Sequence, residues 1–200
     1  MSAPDGVCGL ILAGGLGRRM GGVDKGLQAL RGRPMVQWVL ERLIPQVDEI
    51  LINANQNLET YRAFGHPVIA DTVQEADGGF AGPLAGLHAS LERCAQPLLA
   101  CVPCDSPFLP ADLVARLRAA LEAENAQLAV ARTGAQAHPV FALMRREVRA
   151  HLGEFLGRGG RKMDLWYATL AFTEVAFDDE VEAFSNINTR AELRGHEAAR

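Results

Sequence analysis

An α/β fold with a mainly parallel, mixed sheet and helices on both faces follows from three features of the sequence. Short apolar runs alternate with amphipathic helical stretches, the order of successive β-α-β units joined by right-handed crossovers. The first apolar run opens directly into a glycine-rich loop. The 200 residues, 48% of them apolar, can bury one core, and no repeat, low-complexity block or Pro/Ser linker divides them.

Val7 to Leu12 is a continuous apolar run and predicts a strand covered on both faces. Met35, Val36, Val39, Leu40 and Leu43 fall at helical spacing, with Pro34 suited to the first helical position. Glu49 to Asn53 predicts the next strand, Leu58 to Phe64 a short helix, and Pro67 to Ala70 a strand that ends at Asp71. After a glycine loop, Leu84 to Cys94 predicts a helix, and Pro97 to Val102 a strand ending before Cys104-Asp105. Leu113, Val114, Leu117 and Leu121 make the stripe of the helix behind it. The second half is less regular: Leu128 to Arg132, His138 to Leu143 and Thr173 to Phe177 predict strands with mixed pairing, and Arg146 to Leu156 a helix. Thr189 and Glu192 form a capping box for a short helix after Asn186-Ile187-Asn188. Together these make one Rossmann-like domain spanning 1–200, with ligands expected beyond the carboxyl ends of its strands.

Charge and cysteine usage narrow the function. Twenty Lys and Arg against 24 Asp and Glu leave a net charge of -4, so no global positive field draws the chain to nucleic acid or anionic lipid. No secretion signal or membrane-length apolar run is present, and a cytoplasmic location is expected. The four cysteines are Cys8, Cys94, Cys101 and Cys104. Cys101 and Cys104 form one C-x-x-C, open to a redox role or half a zinc site, but no second pair exists and buried structural thiols are the expectation.

Chemistry concentrates in residues 12–25. Five glycines follow the first strand, supplying backbone N–H groups that can wrap an anion, and Arg18, Arg19 and Lys25 add positive charge. From Arg18 to Arg33 there are five basic residues and one acidic residue, which marks a polyphosphate site rather than a solvated loop. A Walker A loop is excluded because Lys25 is followed by Gly26 and Leu27. The G-x-G-x-x-G of dinucleotide binders fails because Met20 takes the third glycine's place.

Leu12-Ala13-Gly14-Gly15, Arg18-Arg19-Met20-Gly21-Gly22 and Asp24-Lys25-Gly26 together resemble the signature loop of molybdenum cofactor guanylyltransferases. The likeness continues through Gly82-Pro83-Leu84-Ala85-Gly86, Pro103-Cys104-Asp105-Ser106-Pro107-Phe108-Leu109-Pro110, His138-Pro139-Val140 and Asn186-Ile187-Asn188-Thr189. The chain departs from the family at Arg190-Ala191, where Pro-Glu is common, and at Ser106, where Thr is frequent. The resemblance implies that GTP and molybdenum-loaded molybdopterin give the guanine dinucleotide cofactor and pyrophosphate, with Mg²⁺ required. It also implies transient contact with proteins that deliver and receive the cofactor.

The resemblance assigns Leu12, Ala13, Gly14, Gly15, Lys25, Asn53, Asp71 and Asp105 to GTP, and Asp105 to the metal as well. Arg19 is expected to bridge the β and γ phosphates, so Arg19, Lys25 and Asp105 are the expected catalytic residues. On this reading about 7–110 forms the GTP and magnesium half, and about 111–200 the pterin side. For the pterin itself, Arg161 and Lys162 in a second glycine-basic cluster, with Asn186 and Asn188, are the candidates; a mobile loop or plain turn is the competing role. His138 is expected to make a structural hydrogen bond. A CTP-dependent enzyme for the same pterin, and a non-catalytic nucleotide-binding or cofactor-delivery protein, are the alternatives.

Overall fold

The computed structural model describes residues 5–14, 24–72, 82–185 and 187. In chain order the elements are β1 (Val7–Leu12), β2 (Ala29–Leu30), β3 (Arg33–Pro34), α1 (Met35–Leu43), β4 (Glu49–Asn53), α2 (Leu58–Arg62), β5 (Val68–Ile69) and α3 (Pro83–Arg93). They continue with β6 (Leu98–Pro103), α4 (Leu113–Ala123), β7 (Leu128–Thr133), β8 (Gln136–Arg145), α5 (Arg149–Gly157), α6 (Met163–Tyr167) and β9 (Phe172–Ala176). Single 3-10 turns occupy Ile44–Gln46, Arg146–Val148 and Val181–Phe184.

Among the described residues seven strands form one sheet in the order β5-β4-β1-β6-β8-β7-β9, and β2 and β3 make a separate small hairpin. Pairing is parallel from β5 through β6 and again between β7 and β9, while β8 runs antiparallel to both its neighbours. The mixed pairing expected of the second half is therefore concentrated in one strand.

Helices cover both faces because strand residues alternate between two apolar cores. Val7 and Ile11 of β1 point with Ile50 and Ile52 of β4 toward α1, α2 and α4. Cys8 and Leu10 point with Leu51 toward α3, α5 and α6, where Leu84, Leu87, Leu152 and Trp166 are buried. A run apolar at every position, as in β1, is the sequence of a strand with no wet face.

Several local expectations need correction. Pro34 caps α1 instead of filling its first turn: its φ of -53° and ψ of 138° are extended, and it pairs with Ala29 in the hairpin. The strand expected at Pro67 to Ala70 keeps only Val68–Ile69, since it is an edge strand with two residues in register with β4. The helix expected from Arg146 begins as a 3-10 turn and becomes α-helical at Arg149. Neither the β2–β3 hairpin nor the five-residue α6 is long enough for its periodicity to be read. The capping box at Thr189 and Glu192 lies outside the described residues.

Leu10 is fully buried at the centre of β1. Leu10→Ala should lower the unfolding free energy by about 2–5 kcal/mol in urea titration. A loss below about 1 kcal/mol would mean that this strand does not lie between two packed layers.

Candidate active site

Strand register gathers the site. Leu12, the last residue of β1, lies opposite Asn53 at the end of β4 and Pro103 at the end of β6, and Asn53 in turn lies opposite Ile69 at the end of β5. Four neighbouring strands therefore stop at one level and release their loops on one rim, where ligands of open α/β sheets bind. Two main-chain bonds extend the ladder past the strand ends: Ala13 N–H donates to Asn53 O at 2.8 Å, and Cys104 N–H donates to Leu12 O at 3.1 Å.

The first loop and the loop after β6 meet at an ion pair. Lys25 Nζ donates to Asp105 Oδ2 at 3.0 Å, across 80 positions of sequence. The Asp105 side chain is only 9% exposed and that of Lys25 24%, so the cation offsets much of the cost of desolvating the carboxylate. Lys25 is fixed from behind by Asp24. The Tyr61 hydroxyl donates to Asp24 Oδ1 at 2.6 Å, and Asn57 Nδ2 donates to Oδ2 at 3.0 Å. Burial, the neighbouring Cys104 and the bond to Asp24 all raise the Tyr61 pKa, so its phenol keeps the proton it donates. On the other side, Ile187 N–H donates to Asp105 O at 3.0 Å and its side chain is buried beside Leu30 and Met35.

A second polar cluster surrounds Asp71. Its Oδ1 accepts from Asn53 Nδ2 at 2.8 Å, and its Oδ2 accepts from Asn55 Nδ2 at 2.9 Å. Asn53 is 2% exposed, and Nδ2 also donates to Ile69 O at 3.2 Å, so both of its amide hydrogens are engaged within the protein. Asn53 therefore holds Asp71, with its amide hydrogens turned inward. Gly86 in α3 makes room for it, since a Cβ there would lie 2.2 Å from Asn53 Oδ1.

Farther along the rim, a cavity of about 440 Å³ opens beside β6 and β8. It is lined by Pro103, Thr133, Gln136, His138, Phe184 and Ser185, among others. His138 Nε2 lies 2.8 Å from Thr133 Oγ1, and its ring stacks on Phe184 at 4.8 Å, so the expected structural bond is present in a residue that also faces the cavity. Arg161 and Lys162 do not line this cavity. The glycine-basic cluster before them terminates α5: Gly159 N–H donates to Leu156 O and Gly160 N–H to Phe155 O, each at 2.9 Å, a Schellman pattern. Arg161 Nη1 donates to the carbonyls of Leu156 at 3.0 Å and Gly160 at 2.8 Å, which gives it a capping role, and Lys162 stands exposed ahead of α6. All four cysteines are free and buried. Cys101 and Cys104 belong to opposite cores, so the C-x-x-C neither closes a disulfide nor shares a metal, and burial raises both thiol pKa values.

Leu12, Ala13, Gly14, Lys25, Asn53, Asp71 and Asp105 thus converge on one rim, whereas Gly15, Arg19, Asn186 and Asn188 lie outside the described residues. Sequence reasoning passed over Asp24, Tyr61 and Asn55. Asp24 was signalled as the one acid in a basic stretch; Tyr61 and Asn55 carried no signal. Among the described residues no three His, Cys, Asp or Glu side chains cluster as a cage for a cation. A single buried carboxylate fits Mg²⁺, which commonly takes one or two protein carboxylates and fills its shell with water and phosphate oxygens.

Burial lowers the His138 pKa below its ordinary 6.5. The folded state then binds this proton more weakly than the unfolded state, so its contribution is intact above pH 6.5 and stability is lost as pH falls below it. His138→Gln should flatten the decline of the thermal midpoint between about pH 6.5 and 5; an unchanged decline would assign it to other groups.

Residues 9–170 match the family model described as the MobA-like NTP transferase domain. The chain is 54% identical to the molybdenum cofactor guanylyltransferase of Cupriavidus taiwanensis, over 99% of this chain and 100% of that protein. It is 54% identical to that of Cupriavidus necator, over 98% and 99%. In fold it is similar to molybdopterin-guanine dinucleotide biosynthesis protein A from Archaeoglobus fulgidus, with a TM-score of 0.76 and 23% identity over 95% of this chain and 96% of that one. The 2-C-methyl-D-erythritol 4-phosphate cytidylyltransferase of Thermus thermophilus follows at TM-score 0.68 and 17% identity, covering 94% and 96%. With nearly full-length relatives at this identity and a family model that covers most of its length, the chain belongs to the molybdenum cofactor guanylyltransferase family and is a nucleotidyltransferase.

Proposed function

We propose that this chain transfers GMP from GTP to molybdopterin already carrying molybdenum, yielding the guanine dinucleotide cofactor and pyrophosphate. The observation that carries the reading is the Lys25–Asp105 pair at 3.0 Å on the strand-end rim. A nucleoside triphosphate brings negative charge that a lysine can neutralise and a divalent cation that a carboxylate can hold, so the two residues exchange one partner for another. In the reaction an oxygen of the pterin's terminal phosphate attacks the α-phosphorus of GTP, and the bond to the bridging oxygen breaks with departure of pyrophosphate. That nucleophile is already anionic, so general-base catalysis is dispensable and the protein's task is positioning and charge neutralisation.

Mg²⁺ held at Asp105 would supply positive charge to the phosphate oxygens. Lys25 binds phosphate, Arg19 is assigned to the β and γ phosphates, and the main chain of Leu12, Ala13, Gly14 and Gly15 lies against the nucleoside. Asn53 contributes to that side through Asp71. The cavity beside β6 receives the pterin: Pro103 in its wall is two residues from Asp105, and its aromatic lining suits a flat heterocycle. Asn186 and Asn188 are assigned to the pterin, and Arg161 and Lys162 to its outer phosphate contacts. The reaction belongs in the cytoplasm, with transient docking of proteins that supply and collect the cofactor. Among the described residues no helix is long and apolar enough to cross a membrane.

At a GTP concentration 100 times its dissociation constant, with Mg²⁺, the folded protein should gain about 2.7 kcal/mol, read as a rise in thermal midpoint. An equal rise with CTP would overturn the guanine assignment. Lys25→Ala should reduce pyrophosphate release by about 10²–10³-fold. Asp105→Asn should stay folded while losing Mg²⁺-dependent turnover, and wild-type rates in either variant would refute the assigned role.

A further inference from the structure

Building on the nucleotide reading above, we infer that Asn55 is a positioning residue for nucleotide binding, acting through the carboxylate of Asp71. The contact between them is reciprocal. Asn55 Nδ2 donates to Asp71 Oδ2 at 2.9 Å, while Asn55 Oδ1 accepts from the Asp71 backbone N–H at 2.8 Å. The same side chain therefore sets both the path of the main chain at residue 71 and the rotation of its carboxylate. Asn53 completes the clamp from the other side, with Nδ2 2.8 Å from Oδ1.

The nature of the clamp matters as much as its geometry. Asp105 is neutralised by a lysine, but the partners of Asp71 among the described residues are two uncharged amides. Each carboxylate oxygen receives one hydrogen bond from the described residues and can accept another, so Asp71 presents a spare acceptor site on each oxygen in a fixed orientation. Such a group suits a ligand bearing neutral N–H or O–H donors, which a nucleoside has and a phosphate chain lacks.

Asn55 also borders the first loop. A Cβ at Gly14 would lie 2.8 Å from Asn55 Nδ2 and 3.0 Å from Asn53 Oδ1, so a side chain there would press on these amides and glycine lets the loop backbone close against them. The amide of Asn55 thus stands between the loop assigned to the nucleoside and the acid that faces it. Asn53 is wedged in the core beneath α3, whereas Asn55 is half-buried on the rim, so replacing it perturbs Asp71 without emptying a packed position.

A double-mutant cycle tests the inference. Asn55→Ala should raise the KM for GTP about tenfold, the loss expected for one hydrogen bond to a charged group. Its kcat at saturating GTP should stay within about threefold and its thermal midpoint within about 2 °C, as for a rim substitution that leaves the core intact. Because the effect runs through one carboxylate, adding Asn55→Ala to Asp71→Ala should change KM no further. Asn55→Asp, the same size with an acceptor in place of the donor, should raise KM more than alanine does, because like charges then oppose each other. Wild-type KM in Asn55→Ala, or full multiplication of the two single effects, would overturn the role of Asn55 while leaving the nucleotide reading intact. Failure of the wild-type protein to bind GTP with Mg²⁺ would overturn both.

Discussion

The level at which β1 stops, relative to its two parallel partners, governs everything that happens on the rim. Leu12 faces Asn53 on one side and Pro103 on the other, so the loops bearing Lys25, Asn55 and Asp105 leave the sheet side by side. Slipping β1 by one residue would displace its loop by about 3.3 Å and turn Cys8 and Leu10 into the core that holds Val7 and Ile11. Both cores are built of buried apolar side chains, so that slip is penalised along the whole strand. The core thereby stabilises an arrangement that the polar groups of the site, left to themselves, would not maintain.

Three carboxylates then crowd one end of the sheet, and each is compensated differently. Asp24 is tied to a phenol and an amide, Asp105 to an ammonium, Asp71 to two amides. The first arrangement is static and anchors a loop. The second is an exchangeable pair of opposite charges, each able to take a new partner of the sign it already prefers. The third leaves a negative group pointing in a chosen direction. Burying acids close together would be costly in an apolar interior, and it is tolerated because every carboxylate has at least one directed donor.

The strands and most helices were legible because continuous apolar runs and 3.6-residue periodicity report burial directly, as in β1 and α4. What sequence could not show was the partner of each polar group. Nothing local to Asn53 reveals that Gly86, 33 positions later in the chain, vacates the space its side chain fills. A helix stop and a phosphate cradle draw on the same residue types, so sequence alone does not reveal that the glycines before Arg161 terminate α5. Lys25 and Asp105 were found through a motif, yet their approach to one another is a property of strand order, which no short segment encodes.

The reversal of β8 has a consequence for how such a protein can diversify. A sheet parallel throughout would line its rim with strand ends alone. Here the chain re-enters from that side, so the turn between β7 and β8 and the first residues of β8 become the wall of a chamber beside the last strand of the parallel half. That wall can be lengthened, shortened or recoloured without shifting a single rung of the pairing between β1, β4 and β6. Changes in the chamber wall and changes at the ends of β1, β4 and β6 thereby fall on separable parts of one continuous sheet.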